Sequence, residues 1–124
     1  MNNSISVVAR IVYGVPFAIF GLFHFMNGQA MAGMVPIPGG IFWIYLTGLA
    51  LIAAAVSIIT KKYARQASIL LAVMIAIFAL TIHLPGVFNP DTMAMSMSNF
   101  LKDIALAAAA LYMARVFDKE EVLA

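Results

Sequence analysis

The sequence predicts an all-α protein of four transmembrane helices in an up-down bundle, with both termini on the cytoplasmic side. Three observations predict it. Four apolar runs, at residues 5–26, 39–60, 67–84 and 99–117, are separated by short polar breaks; each is about 20 residues long, enough for a helix to cross roughly 30 Å of hydrocarbon. Hydrophobic residues make up 65% of the chain and charged ones 10%, which leaves too little polar surface for a water-soluble globule. No stretch alternates with period two, so a β-barrel, the other structure that satisfies its backbone in lipid, is not expected. The expectation is a single domain over residues 1–124.

Charge sets the orientation. Arg10, Lys61, Lys62, Arg65, Arg115 and Lys119 flank the starts of helices 1 and 3 and the ends of helices 2 and 4. The positive-inside rule puts that end in the cytoplasm, in the cytoplasmic (inner) membrane of the cell. At the opposite end Lys102 is the only basic residue, and Asp91 is the only charge in the loops 27–38 and 85–98. Arg10, Lys61, Lys62 and Arg65 read as membrane anchors, with Arg10 snorkelling from within helix 1 to the headgroups. The net charge of +2 is too small and too scattered for nucleic-acid binding.

Each element has its own signals. In helix 1, Arg10, the apolar residues 11–23 and Ala30-Met31-Ala32 imitate a secretory signal with its cleavage site. The run is nevertheless long enough to span and carries patterned residues a discarded segment would not need, so it is expected to remain. Pro16 should kink it. Pro36-Ile37-Pro38-Gly39-Gly40 must break helix geometry before helix 2, whose Phe42, Trp43 and Tyr45 suit an interfacial belt. Lys61-Lys62-Tyr63 makes a tight inner turn. His83-Leu84-Pro85-Gly86 is expected to end helix 3, Asn89-Pro90-Asp91 to turn, and Ser96 or Ser98 to cap helix 4.

Helical spacing groups the polar residues. Arg10, Gly14, Phe17, Gly21 and His24 share one face of helix 1; His83 lies above Ala79, Ala76 and Ala72 in helix 3; Asp103 begins a stripe continued by Ala107, Ala110 and Ala114 in helix 4. Small-residue seams let membrane helices approach closely. The seams bring His24, His83 and Asp103 to similar depth, with Asn99 and Lys102 beside them. Ionisable groups at that depth face the bundle interior and pair. The candidate pocket is therefore His24, His83, Asp103, Asn99, Lys102, Gly21 and Trp43, facing outward. The competing reading keeps both histidines at the interface and lets Asp103 complement a helix start. Lys102 and Asp103 point about 100° apart, so one at most lies on the seam, and the choice is Asp103.

Arg10-x3-Gly14-x2-Phe17-x3-Gly21-x2-His24-Phe25, the Met34-Val35-Pro36 turn, Trp43-x4-Gly48 and Asn99-Phe100-Leu101-Lys102-Asp103 together resemble the DoxX/DoxX-like family of small four-helix membrane proteins. The resemblance implies a setting in membrane redox systems, including quinol oxidases and thiosulfate:quinone oxidoreduction. It implies an accessory or quinone-binding component, with any turnover belonging to an oxidoreductase complex. The chain has no cysteine, so disulfide exchange, persulfide chemistry and iron–sulfur ligation would need a partner subunit. Haem ligation by the two histidines lacks a supporting motif. On this reading His24 or His83 donates to a quinone carbonyl, Asp103 orients the imidazole or relays a proton, and Gly14 and Gly21 make room for the ring. Catalytic residues stay unassigned.

Two other classes of function remain open. Met93, Met95 and Met97 space three thioethers alternately, a soft-ligand pattern suited to Cu(I), although methionine is also an adaptable filler. A membrane scaffold without catalysis is the other, in which Ala53-Ala54-Ala55 and residues 107–110 associate helices with a redox enzyme or a second copy of the chain. A transporter is disfavoured, because no charged residue sits at mid-membrane.

Overall fold

The computed structural model describes residues 4–123. Every regular element among them is helical: α1 (Ser4–Met26), α2 (Gly28–Ala32), α3 (Ile41–Thr60), α4 (Ala64–Phe78), a π-helical stretch (Ala79–His83), α5 (Leu84–Val87) and α6 (Met93–Leu123). α1, α3 and the continuous helical segment Ala64–Val87 are each long and apolar enough to cross a membrane. Only 17% of the most apolar stretch of α1 is buried within the protein. The apolar side chains of this helix therefore face outward as well as inward, the distribution lipid requires.

Glycine decides how α1 meets α3. Side-chain atoms of Ile59 lie where a Cβ on Gly14 would stand, and those of Ile52 where one on Gly21 would stand. The partner number falls as the α1 number rises, so the two helices run antiparallel. Phe25 and Tyr45 stack beyond Gly21, with ring centroids 5.5 Å apart. The turn from α3 to α4 is made by Lys61 and Tyr63, both with left-handed backbones at φ 65° and 55°. Next, α4 packs along α6, with His83 against Asp103 at one end and Arg65 against Asp118 at the other.

The resulting order around the molecule is α1, α3, α4, α6. Among the described residues no Cα of α1 comes within 8 Å of one in α6. The Tyr13 hydroxyl reaches across that seam and donates to the Leu106 carbonyl at 2.9 Å. Phe17, Leu51, Ala55, Ile58, Leu71, Ala72, Ala110 and Phe117 form the buried core. The small residues at 72 and 110 are thus occupied in holding α4 and α6 close.

Several local expectations are corrected. α6 starts at Met93, not at Asn99, because the Ser96 N–H donates to the Thr92 carbonyl and no breaker follows Pro90; neither Ser96 nor Ser98 is its cap. The third long segment does not stop at Leu84 but continues to Val87. Its backbone widens, the Leu84 N–H donates five residues back to the Ala79 carbonyl, and Pro85 enters at the first turn of α5, where its missing N–H costs no bond. The loop before α3 contains the short helix α2, which packs on α3 with Gly28 against the Tyr45 ring.

Candidate ligand-binding cavity

His24 lies at the end of α1, half-buried. Its Nδ1 donates to the Phe20 carbonyl at 2.7 Å. A carbonyl only accepts, so Nδ1 carries a proton, and in a neutral ring Nε2 is then the acceptor.

His83 comes from the π-helical stretch, a rare backbone form that recurs at functional sites. The cause is local. Pro85 cannot donate and crowds the preceding turn, and the ladder changes register just before it. There the Thr81 hydroxyl donates to the Ile77 carbonyl at 2.7 Å. His83 Nε2 then stands 3.2 Å from Asp103 Oδ2.

Asp103 is 8% exposed and heads the buried face of α6 that continues through Ala110 and Ala114. Lys102 points further out, with its Nζ 4.0 Å from Asp103 Oδ1 and 3.3 Å from Asn99 Oδ1. Two cationic or proton-bearing groups therefore flank one buried carboxylate. Burying that carboxylate alone would be costly, and the pairing offsets the cost.

These groups form the polar end of a cavity of about 690 Å³, within the range of small-molecule sites. Phe17 and Phe20 of α1, Ile44 and Leu51 of α3, Phe78 of α4 and Leu106 of α6 make its apolar walls. Met31, Met34, Val35, Pro36 and Ile37 roof it. The roof is held by Trp43, whose indole Nε1 donates to the Pro38 carbonyl at 2.7 Å. Gly39 and Gly40, at φ 112° and 37°, take backbone conformations that side chains rarely allow. Leu70, Val73 and Ile77 line the cavity while being exposed. It therefore opens sideways between α3 and α4.

Of the residues singled out in the sequence, His24, His83, Asp103, Lys102 and Trp43 line this one cavity. Asn99 is not part of its wall and instead accepts from Lys102. Gly21 faces α3, with the Gly48 carbonyl and Ile52 in the space a side chain would need, and Gly14 is filled by Ile59 in the same way. Neither glycine leaves room for a ligand ring, because backbone packing already uses the space. Trp43 bridges loop and cavity in addition to lying at the surface. Thr47 and the roof residues were missed. Thr47 and Leu51 follow Trp43 at helical spacing, a signal that could have found them.

Elsewhere, Asp118 accepts from both Arg65 and Arg115, at 3.1 and 3.0 Å. Arg10 is half-buried, and its Nε is shielded from solvent with no hydrogen-bond partner among the described residues. Lys62 is exposed. Met93, Met95 and Met97 lie on the first turns of α6, where two residues of separation turn a side chain by about 200°. Met95 thus points away from the other two, and the three thioethers do not converge. Among the described residues no three His, Asp or Glu side chains are grouped to hold a metal ion. Of the alanine runs, Ala54, Ala55 and Ala110 are buried inside the protein, whereas Ala53 and Ala108 face outward.

Fold and site together define a helical protein of bilayer-spanning dimensions with an apolar, side-opening cavity that ends in an ionisable cluster. Compared with protein families, with curated proteins and with solved structures, the chain finds no match.

Proposed function

We propose that this chain is a DoxX-like protein of the cytoplasmic membrane that binds a quinone, or a similar lipophilic carbonyl compound, as an accessory component of a redox system. Its four spans would be α1, α3, the segment Ala64–Val87 and the 99–117 part of α6. With the Lys61–Lys62 turn and both termini cytoplasmic, the cavity faces outward. The observation that carries the reading is the His83–Asp103 pair, 3.2 Å apart at the end of an otherwise apolar cavity. A bound quinone carries electrons and protons together, so its site needs hydrogen-bonding groups that exchange protons.

The two histidines suit different halves of that task. His83 turns Nε2 toward Asp103 Oδ2 at 3.2 Å, and in the imidazolium form its Nδ1–H can donate to a carbonyl oxygen. His24, with Nδ1 already donating to Phe20, offers Nε2 as an acceptor for a quinol hydroxyl. Asp103 orients His83 and balances its charge. Phe17, Phe20 and Phe78 give the ring flat apolar surfaces.

Trp43 is the chain's one tryptophan and lines the cavity, so its emission reports binding. Titrating the purified full chain with menadione should quench Trp43 saturably. His83→Ala should weaken menadione binding, and His24→Ala binding of the reduced menadiol, each about tenfold or more, equivalent to about 1.4 kcal/mol. Equal affinity in wild type and both variants would remove the proposal.

A further inference from the structure

A second cavity of about 390 Å³ lies against α3 and α4, walled by Ala50, Ala53, Ala54 and Ser57 on one side and Ala67 and Leu70 on the other. Leu70 and Met74 line it and the first cavity alike. The two spaces are therefore neighbours along the α3–α4 gap, and together their α3 linings run from Trp43 to Ser57, about 21 Å at 1.5 Å per residue. Its α3 wall is cut back because positions 50, 53, 54 and 57 share a helical face and carry only small side chains. Tyr63, turned by its left-handed backbone, lines the far end.

We infer that the ligand of the His24–His83–Asp103 cavity carries a long linear hydrocarbon tail, isoprenoid or acyl, which leaves sideways between α3 and α4 and lies in the groove at Ala53 and Ala67. This rests on the cavity taking a lipophilic ligand, and adds what that ligand must look like. Size decides the occupant. A helix about 10 Å across would displace roughly 1,200 Å³ over 15 Å of groove, about three times the space present. A single hydrocarbon chain needs no such width. The groove adjoins the polar cavity at Leu70 and Met74, which also favours a tail attached to the bound headgroup over an unconnected lipid. Since a tail in the bilayer is already among apolar neighbours, the groove selects it through close packing.

Menadione and menaquinone share a ring and differ in the tail, so the pair separates headgroup from tail. Each is titrated, in nanodiscs, against the wild type, Ala53→Phe and Ala67→Phe, with Trp43 emission as readout and concentrations expressed per lipid. Ala53 is exposed, so that variant folds without disturbing the core. The expected result is unchanged menadione affinity in all three proteins and menaquinone affinity about tenfold lower in both variants. If menaquinone binds all three equally while menadione also binds, the tail assignment is overturned and the headgroup site stands. A parallel loss of both ligands in the variants also overturns it. If neither ligand binds the wild type, the headgroup reading fails and takes the tail with it.

Discussion

Gly21 and Gly48 face each other across the α1–α3 crossing so closely that a Cβ on Gly21 would lie 2.7 Å from the Gly48 carbonyl oxygen, and one on Gly48 2.9 Å from that of Gly21. Backbone is the obstacle on both sides, and it cannot rotate away. Gly21→Ala and Gly48→Ala should each destabilise the protein by about 1–3 kcal/mol, the usual range for overpacking. Gly33→Ala is the control, because its Cβ would enter open space at an ordinary φ of −66°. Reversible unfolding in mixed micelles measures all three, and equal stability of Gly48→Ala and Gly33→Ala would contradict the packing described.

His83 and Asp103 should be energetically coupled. A double-mutant cycle on His83→Ala and Asp103→Asn is expected to give an interaction energy of about 0.5–3 kcal/mol, with His83→Ala the more damaging single change because it leaves a buried carboxylate without its partner. Strictly additive effects would mean that the 3.2 Å contact contributes nothing.

Trp43→Phe keeps most of the apolar surface and removes the indole donor that holds the Pro38 carbonyl. The helices should be unaffected, while amide exchange over residues 34–40 should quicken. A typical hydrogen bond contributes about 0.5–1.5 kcal/mol, so the expected increase is about three- to tenfold. No change in exchange would show that the roof is held by something other than Trp43.

Because the chain has no cysteine, single cysteines report topology cleanly. Met95→Cys, at an exposed position beside the cavity end, should react with an impermeant thiol reagent applied outside intact cells. Lys62→Cys, on the exposed turn at the opposite end, should react only after permeabilisation. The reversed pattern would turn the cavity toward the cytoplasm and end the proposed orientation.

Much of the site was legible in one dimension. His24, His83 and Asp103 each head a helical face of small or aromatic residues, and ionisable side chains have few places to go in a chain so apolar. The helix limits were less legible where polarity and helicity part company. Residues 93–98 look like loop because they include serines and lack a long apolar run, yet nothing in them breaks a helix, so α6 runs through. The π-helical stretch was hidden because Pro85 signals a stop, whereas the backbone answered by widening.

Hydropathy, run length and residue spacing were enough to determine that this chain is helical, that it is suited to a bilayer, and that His24, His83 and Asp103 stand toward the same ends of their helices. They act within single helices. Whether Gly21 admits a ligand or a neighbouring backbone, whether Asp103 pairs with His83, and whether α3 and α4 leave cavities between them depend on how each helix is rotated and how far it stands from the next. Those are settled only when distant residues such as Gly48, Ile52 and Leu106 compete for the same space, so the tertiary structure alone decided them.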